Sequence, residues 1–395
     1  MNKLFARIRL GLCLAVVSVI VVAPAAAKEP ASIFQGRKPG EKVGLTRAPY
    51  LQSLTPTSVY IVWNTDKASS TILEYRWATG TGKAATAQIK SLAYGKKVGR
   101  HAVKLEGLQP NTAYYYTAGS NGRALYSSSF KTADTDTQTY SFAVWGDSGA
   151  GSTAQKKLAA QIERARPDFL VHTGDLIYDK GEQKNYNPYF FNVYRKTLAR
   201  VPFYGSLGNH DVQTKDGQPF LDNFILPRNG PAKVTPERNY SFDYGSAHFV
   251  VIDTNQSEKF LRETVAPWVE RDMKASQKAW KFAVFHHPPY SSGDHGDDAR
   301  VLRALVPTFS KLKLDAVFNG HDHHYERFKK INGVVYIVTG AGGAGRYKRR
   351  EKRATTAVFY NDDWSFTRIS IKGRALTGSQ INTMGKAVDT WKLTK

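Results

Sequence analysis

A single cysteine, Cys13, is all the thiol chemistry this 395-residue chain has. A disulfide scaffold is excluded, and so is any thiolate-rich zinc or iron–sulfur site. Negative charge is scarce as well: 33 Asp and Glu face 56 Lys and Arg, a formal net charge of +23. Long apolar runs are lacking, since the one from Leu10 to Ala23 has 14 residues, short of the ~20 that a helix needs to span a bilayer. Apolar and aromatic side chains are not lacking, at 41% and 12%. That is ample for a core and excludes a disordered chain.

The short apolar run has its own meaning. Lys3, Arg7 and Arg9 precede it and Ala25-Ala26-Ala27 closes it, so residues 1–27 read as a secretory signal cleaved before Lys28. Leu12 before Cys13 argues against lipid attachment, and Ile8 between Arg7 and Arg9 argues against a twin-arginine signal. The expectation is a secreted or periplasmic mature chain with no cysteine and no membrane span. Its charge would be +20, with +8 on residues 28–137 and +12 on the rest. So even a spread weakens the case for a specific nucleic-acid partner.

The length fits two domains. Residues 44–133 carry short alternating strands such as Val59-Tyr60-Ile61-Val62-Trp63, separated by turn residues, the pattern of a small antiparallel sandwich. The stretch Leu108-Gln109-Pro110-Asn111-Thr112-Ala113-Tyr114 resembles the turn before a late strand of fibronectin type III domains. Tyr114 to Tyr116 are expected to divide between core and solvent. Residues 134–139 read as a polar linker. From 140 to 395, short buried strands alternate with helical stretches, as in an α/β domain. Ala154 to Ala165 predicts a helix ended by Pro167; Ala299 to Leu314 predicts another, with a break at Pro307.

In this second part, polar residues recur directly after buried strands. Phe142-Ala143-Val144-Trp145 leads to Asp147, Phe169-Leu170-Val171-His172 to Asp175 and Tyr178, and Val201-Pro202-Phe203-Tyr204 to Asn209-His210-Asp211. Phe282-Ala283-Val284-Phe285 ends at His286-His287, and Ala316-Val317-Phe318 at His321-Asp322-His323-His324. Ligands bind beyond the carboxyl ends of strands in open α/β sheets, so these five ends are expected to share a rim. Imidazole and carboxylate without thiolate suit iron, zinc or manganese, and the donors are enough for two metals sharing a carboxylate. In extended backbone, residues two apart share a face; His321 and His323 can therefore enter one site while His324 stays outside. Spacing leaves open which of His286 and His287 is a ligand.

These blocks resemble the metallophosphoesterase (calcineurin-like) superfamily, and within it the purple acid phosphatases. Gly149 stands where many members have a histidine ligand two residues after the first Asp, and Tyr178, in Gly174-Asp175-Leu176-Ile177-Tyr178, supplies a replacement donor. The last block, Gly320-His321-Asp322-His323-His324-Tyr325-Glu326-Arg327, follows that family's Gly-His-x-His-x-Tyr-Glu-Arg. The resemblance implies a fibronectin III-like sandwich followed by an α/β metallophosphoesterase domain, a β-sheet sandwich flanked by helices. It makes Asp147, Tyr178 and His323 ligands of a first metal, Asp175 a bridge, and Asn209, His286 and His321 ligands of a second. A phenolate with two carboxylates favours Fe(3+); the more neutral second set suits divalent Fe, Zn or Mn. The implied activity is acid hydrolysis of phosphate monoesters by in-line attack of a metal-bound hydroxide.

By the same resemblance, His210 and His295 bind phosphate oxygens or protonate the leaving group; for His295 a plain surface-loop histidine is the alternative. Asp211 is expected to orient its neighbours. Asp322 is charged where the family often has an apolar residue, with no role evident. Tyr240 to Val250 reads as a hairpin with His248 in the core. A disulfide-linked dimer is excluded. Two other functions fit the residues: a phosphodiesterase or nucleotide hydrolase on the same metals, and a non-enzymatic polyanion-binding protein. The run Arg346-Tyr347-Lys348-Arg349-Arg350-Glu351-Lys352-Arg353 supports the last, or else attracts anionic substrate to the rim through Arg346 and its neighbours.

Overall fold

The structure is a computed structural model that describes residues 32, 34, 38–77, 93, 94 and 99–395. The expected signal, 1–27, lies outside the described residues. Among those residues no helix is long and apolar enough to cross a membrane.

The first part is an antiparallel sandwich. One sheet runs Leu45–Gln52, Ser58–Thr65, Gly99–Glu106, Ala93–Tyr94; the other runs Ile72–Trp77, Ala113–Ser120, Arg123–Lys131. Alternation fixes the faces: Tyr114 and Tyr116 are buried at 2% exposure each, whereas Tyr115 between them is 48% exposed. The triplet thus divides as its period of two requires.

The second part stacks two sheets between helices. The six-stranded sheet runs Phe203–Gly205, Phe169–His172, Thr139–Trp145, Ser365–Lys372, Ala375–Asn382, Ala387–Thr394, with the first three strands parallel. The seven-stranded sheet carries Ala247–Ile252, Trp280–Phe285, Ala316–Asn319 and Val335–Thr339 in parallel at its centre. Facing rings lock the sheets: Phe142 meets Phe249 at 5.3 Å, Phe282 at 5.8 Å and Phe318 at 6.2 Å between centroids. Strands buried on both faces explain why these segments are continuous apolar runs.

The expected helices are Thr153–Ala165 and Ala299–Leu312. Ser152 caps the first by accepting from Gln155 N at 3.0 Å, and Arg166, at φ 47°, ends it. The expected break at Pro307 does not occur. Pro307 lies on the exposed face, as does Arg303, so water can serve the Arg303 carbonyl that the proline leaves without its helical donor. The linker also ends a residue early, because Thr139 already belongs to a strand.

Arg47 pins the two parts together. It is buried, donates to Asn187 Oδ1 at 2.7 Å and Asn223 Oδ1 at 2.6 Å, and stacks 3.6 Å from the centre of the Phe191 ring. Tyr116 Oη donates to the Ala199 carbonyl at 2.7 Å beside it in the interface.

Candidate metal centre

Each strand end delivers its polar residue to one place. Asp147 follows Thr139–Trp145, Asp175 follows Phe169–His172, Asn209 follows Phe203–Gly205, His286 follows Trp280–Phe285, and His321 and His323 follow Ala316–Asn319. The turns are tight enough that Asp147, Asp175 and His321 adopt φ of 58°, 54° and 70°. Such strain persists where surrounding structure over-determines it, commonly at functional sites. Gly149 is also forced: a Cβ there would lie 1.6 Å from the Leu176 carbonyl oxygen. No histidine side chain fits at that position, and the same loop brings in Tyr178 instead, whose N–H donates to the Gly149 carbonyl at 3.0 Å.

Tyr178 is the centre of one group. Its Oη lies 3.2 Å from Asp147 Oδ1, 3.1 Å from Asp175 Oδ2 and 2.9 Å from His323 Nε2. One phenolic hydrogen cannot serve both carboxylate oxygens, whereas a cation among the phenol, the carboxylates and the imidazole would satisfy all of them together. The second group is as close. Asn209 Oδ1 lies 2.8 Å from His286 Nε2 and 2.9 Å from His321 Nδ1, and those two nitrogens are 3.2 Å apart. Asp175 Oδ2 is 3.4 Å from His286 Nε2, so this carboxylate touches both groups. Asp147, Asp175 and His286 also offer ligand atoms within 4.8 Å of one another. All seven expected ligands therefore form one network.

Backbone carbonyls aim the imidazoles. His286 Nδ1 pairs with the Thr173 carbonyl at 3.0 Å and His323 Nδ1 with that of Gly345. Each contact engages Nδ1 and turns Nε2 inward, as outer partners of metal-bound histidines do. Electrostatics match. Burial, then Asp175 and Asp147, push the Tyr178 phenol well above its ordinary pKa. His286 is opposed by burial, but Asp175 prevails and raises it to about 9. Burial and the neighbouring His286 lower His321 to about 3. A bound cation would reverse the pressure on the phenol.

Around this network the supporting residues are explicit. Asp211, fully buried, accepts from Leu176 N at 3.0 Å, Ile177 N at 3.2 Å and Gly208 N at 2.9 Å. It ties the Asp175 loop to the Asn209 loop. His210 donates its N–H to Asp175 Oδ1 at 2.9 Å, pairs through Nδ1 with the Asp179 carbonyl, and packs on Tyr178 at 4.5 Å. His287 is turned by Thr254 Oγ1, 2.8 Å from its Nδ1, yet still has a nitrogen within 4.8 Å of those of His286 and His321. His324 points away from the cluster and pairs with Glu326, which also accepts from Ser292 N at 2.7 Å and Ser292 Oγ at 2.6 Å.

One sequence reading holds and one changes. His248 is buried in the expected hairpin, where Nδ1 meets Asp243 of the facing strand at 2.6 Å and Nε2 meets Asp272 of the helix Ala266–Ala275 at 2.8 Å. Arg346 is not brought into the network; its guanidinium bonds the Asn361 carbonyl and lies 4.6 Å over the Trp364 ring. Tyr347 beside it was missed. Its ring stacks on His323 at 4.0 Å and 11° and sits 5.3 Å from His295, while its N–H donates to the His323 carbonyl at 3.2 Å. An aromatic within a basic run gave no sign of this. The run itself crosses the rim, with Arg350 N donating to the Ser292 carbonyl at 2.8 Å.

The family comparison agrees with this geometry. The model for calcineurin-like phosphoesterases matches residues 140–325, which contain all seven network residues, and that for the purple acid phosphatase N-terminal domain matches 48–143. The chain belongs to the purple acid phosphatase family. Purple acid phosphatase 3 of Arabidopsis thaliana is 24% identical over 306 residues, 65% of this chain and 78% of the relative. Purple acid phosphatase 21 of the same plant is 30% identical over 264 residues, 62% of this chain and 58% of the relative. In fold, the purple acid phosphatase from yellow lupin (Lupinus luteus) seeds superposes with a TM-score of 0.74 at 18% identity, over 88% of this chain and 74% of that one. As a purple acid phosphatase the chain is a hydrolase of phosphate monoesters, and its clustered donors suit a binuclear metal centre. The non-enzymatic polyanion-binding reading is thereby set aside.

Proposed function

We propose that the chain is an exported acid phosphatase in which Asp147, Tyr178 and His323 hold one cation, Asn209, His286 and His321 hold a second, and Asp175 bridges them. The observation that carries this reading is the crowding of two carboxylate oxygens and an imidazole nitrogen around the single hydroxyl of Tyr178. The Tyr178 group is hard and anionic, which favours Fe(3+); the second group, mostly imidazole and amide, suits divalent Fe, Zn or Mn. When bound, such cations supply Lewis acidity toward phosphoryl oxygen and water.

The chain's own residues do the rest. His210, held through Nδ1 by the Asp179 carbonyl, keeps Nε2 for a phosphate oxygen. His295 serves a phosphate oxygen or the leaving-group oxygen, with displacement at phosphorus in line. Arg346 and the basic run contribute long-range attraction for anionic esters at the rim rather than a fixed contact. Export rests on the pattern of residues 1–27. The test pairs metal analysis with turnover on one preparation. About two metals per chain, with a phosphate monoester cleaved faster than its bis-ester analogue, is the expected result. Metal-independent turnover, or a preference for the bis-ester, would contradict it.

A further inference from the structure

Asp322 is the charged residue between His321 and His323, the sequence supplied no role for it, and its contacts are specific. Its Oδ1 accepts from His295 N at 3.0 Å and faces His295 Nδ1 at 2.9 Å. The other oxygen receives the Ser291 hydroxyl, and Ser291 Oγ in turn accepts from Gly293 N at 3.0 Å. The Asp322 carboxylate is fully buried, while the His295 side chain is 44% exposed. The His295 ring lies 4.1 Å from that of His321, at the edge of the second group.

We propose that Asp322 is a positioning residue for His295. The inference rests on the reading of His295 as a group that meets the phosphate ester. A half-exposed imidazole on a loop between Gly293 and Gly296 would otherwise sample several rotamers. The buried carboxylate removes that freedom: it accepts from Nδ1–H and turns Nε2 toward substrate, so that in the imidazolium the second proton sits on Nε2 and passes from there to the leaving-group oxygen. The same division of labour orients the histidine of a Ser-His-Asp triad. Asp322 also sits between His321 and His323 in the chain, so one short segment sets both the metal donors and the angle of the proton donor beside them. An apolar residue at 322 could hold the turn but not the ring.

The test uses the metal-loaded full chain and phosphate monoesters with leaving groups graded from dinitrophenol to simple alcohols. Rates are expressed per metal-loaded site, so altered metal affinity is separated from altered chemistry. Asp322→Ala is expected to lower kcat about 10²-fold for alcohol leaving groups, which need a proton, and less than about threefold for dinitrophenyl phosphate, with KM little changed. His295→Ala should give the same pattern, and the double variant should be no slower than His295→Ala alone. Asp322→Asn, which keeps a carbonyl acceptor for Nδ1–H, should recover most of the loss. Equal loss across all leaving groups in Asp322→Ala, or multiplicative loss in the double variant, would overturn the inference. Wild-type rates in His295→Ala would instead overturn the reading of His295 on which it rests.

Discussion

The phenol oxygen of Tyr178 lies 2.9 Å from Nε2 of His323, with Asp147 and Asp175 carboxylate oxygens within 3.2 Å. A phenolate bound to ferric iron in that position should absorb visible light by charge transfer. The iron-loaded, oxidised protein is therefore expected to be coloured, and Tyr178→Phe to lose or strongly shift the band. An absorption spectrum checks this; an unchanged band in Tyr178→Phe would remove the tyrosine from the metal.

A second prediction concerns pH. Burial disfavours the His248 imidazolium, but the hydrogen bonds to Asp243 and Asp272 outweigh it and raise its pKa to about 9. The ordinary value is near 6.5. A raised pKa in the folded state stabilises fully below the unfolded value, and the contribution fades as pH rises through the folded one. His248→Gln should therefore cost stability at pH 6 and progressively less by pH 9. Because Asp243 is 50% exposed, solvent screening discounts the tie, and the expected change is about 1–3 kcal/mol. Urea unfolding at both pH values measures it; a pH-independent difference would be inconsistent with an ionic tie.

A third prediction tests the domain junction. Arg47→Ala removes the donors to Asn187 and Asn223 and the contact with Phe191, leaving Asn223 Oδ1 with only the longer bond from Gln183 Nε2 at 3.3 Å. The expected cost is roughly 2–4 kcal/mol, seen as a lower unfolding midpoint. Turnover at low temperature should stay near wild type, because Arg47 contacts none of the seven network residues. A large fall in kcat with unchanged stability would argue that the sandwich acts on the chemistry directly.

Much of this architecture was legible in the sequence because its signals are local. Buried strands announced themselves as apolar runs, and each was followed within a few residues by Asp147, Asp175, Asn209, His286 or His321. Period-two alternation correctly divided Tyr114 and Tyr116 from Tyr115. The parts that escaped depend on contacts far apart in the chain. His295 meets Asp322 across 27 positions and Asp272 meets His248 across 24, separations that carry no periodic mark. Tyr347 was hidden by the charges around it, because a basic run reads as solvated surface until its backbone is found bonded to His323. Pro307 failed as a break for a different reason: which side of a helix faces water is decided by packing.

The claim that one shared carboxylate organises two metals is tested most directly through Asp175, which lies 3.1 Å from Tyr178 Oη in one group and 3.4 Å from His286 Nε2 in the other. The measurement is metal content by elemental analysis of wild type and Asp175→Asn, alongside monoester turnover. The account predicts about two metals per wild-type chain, fewer than one in the variant, and a fall in kcat of about 10³-fold or more, the scale of lost charge stabilisation at a reacting centre. A variant that keeps both metals and wild-type turnover would contradict it.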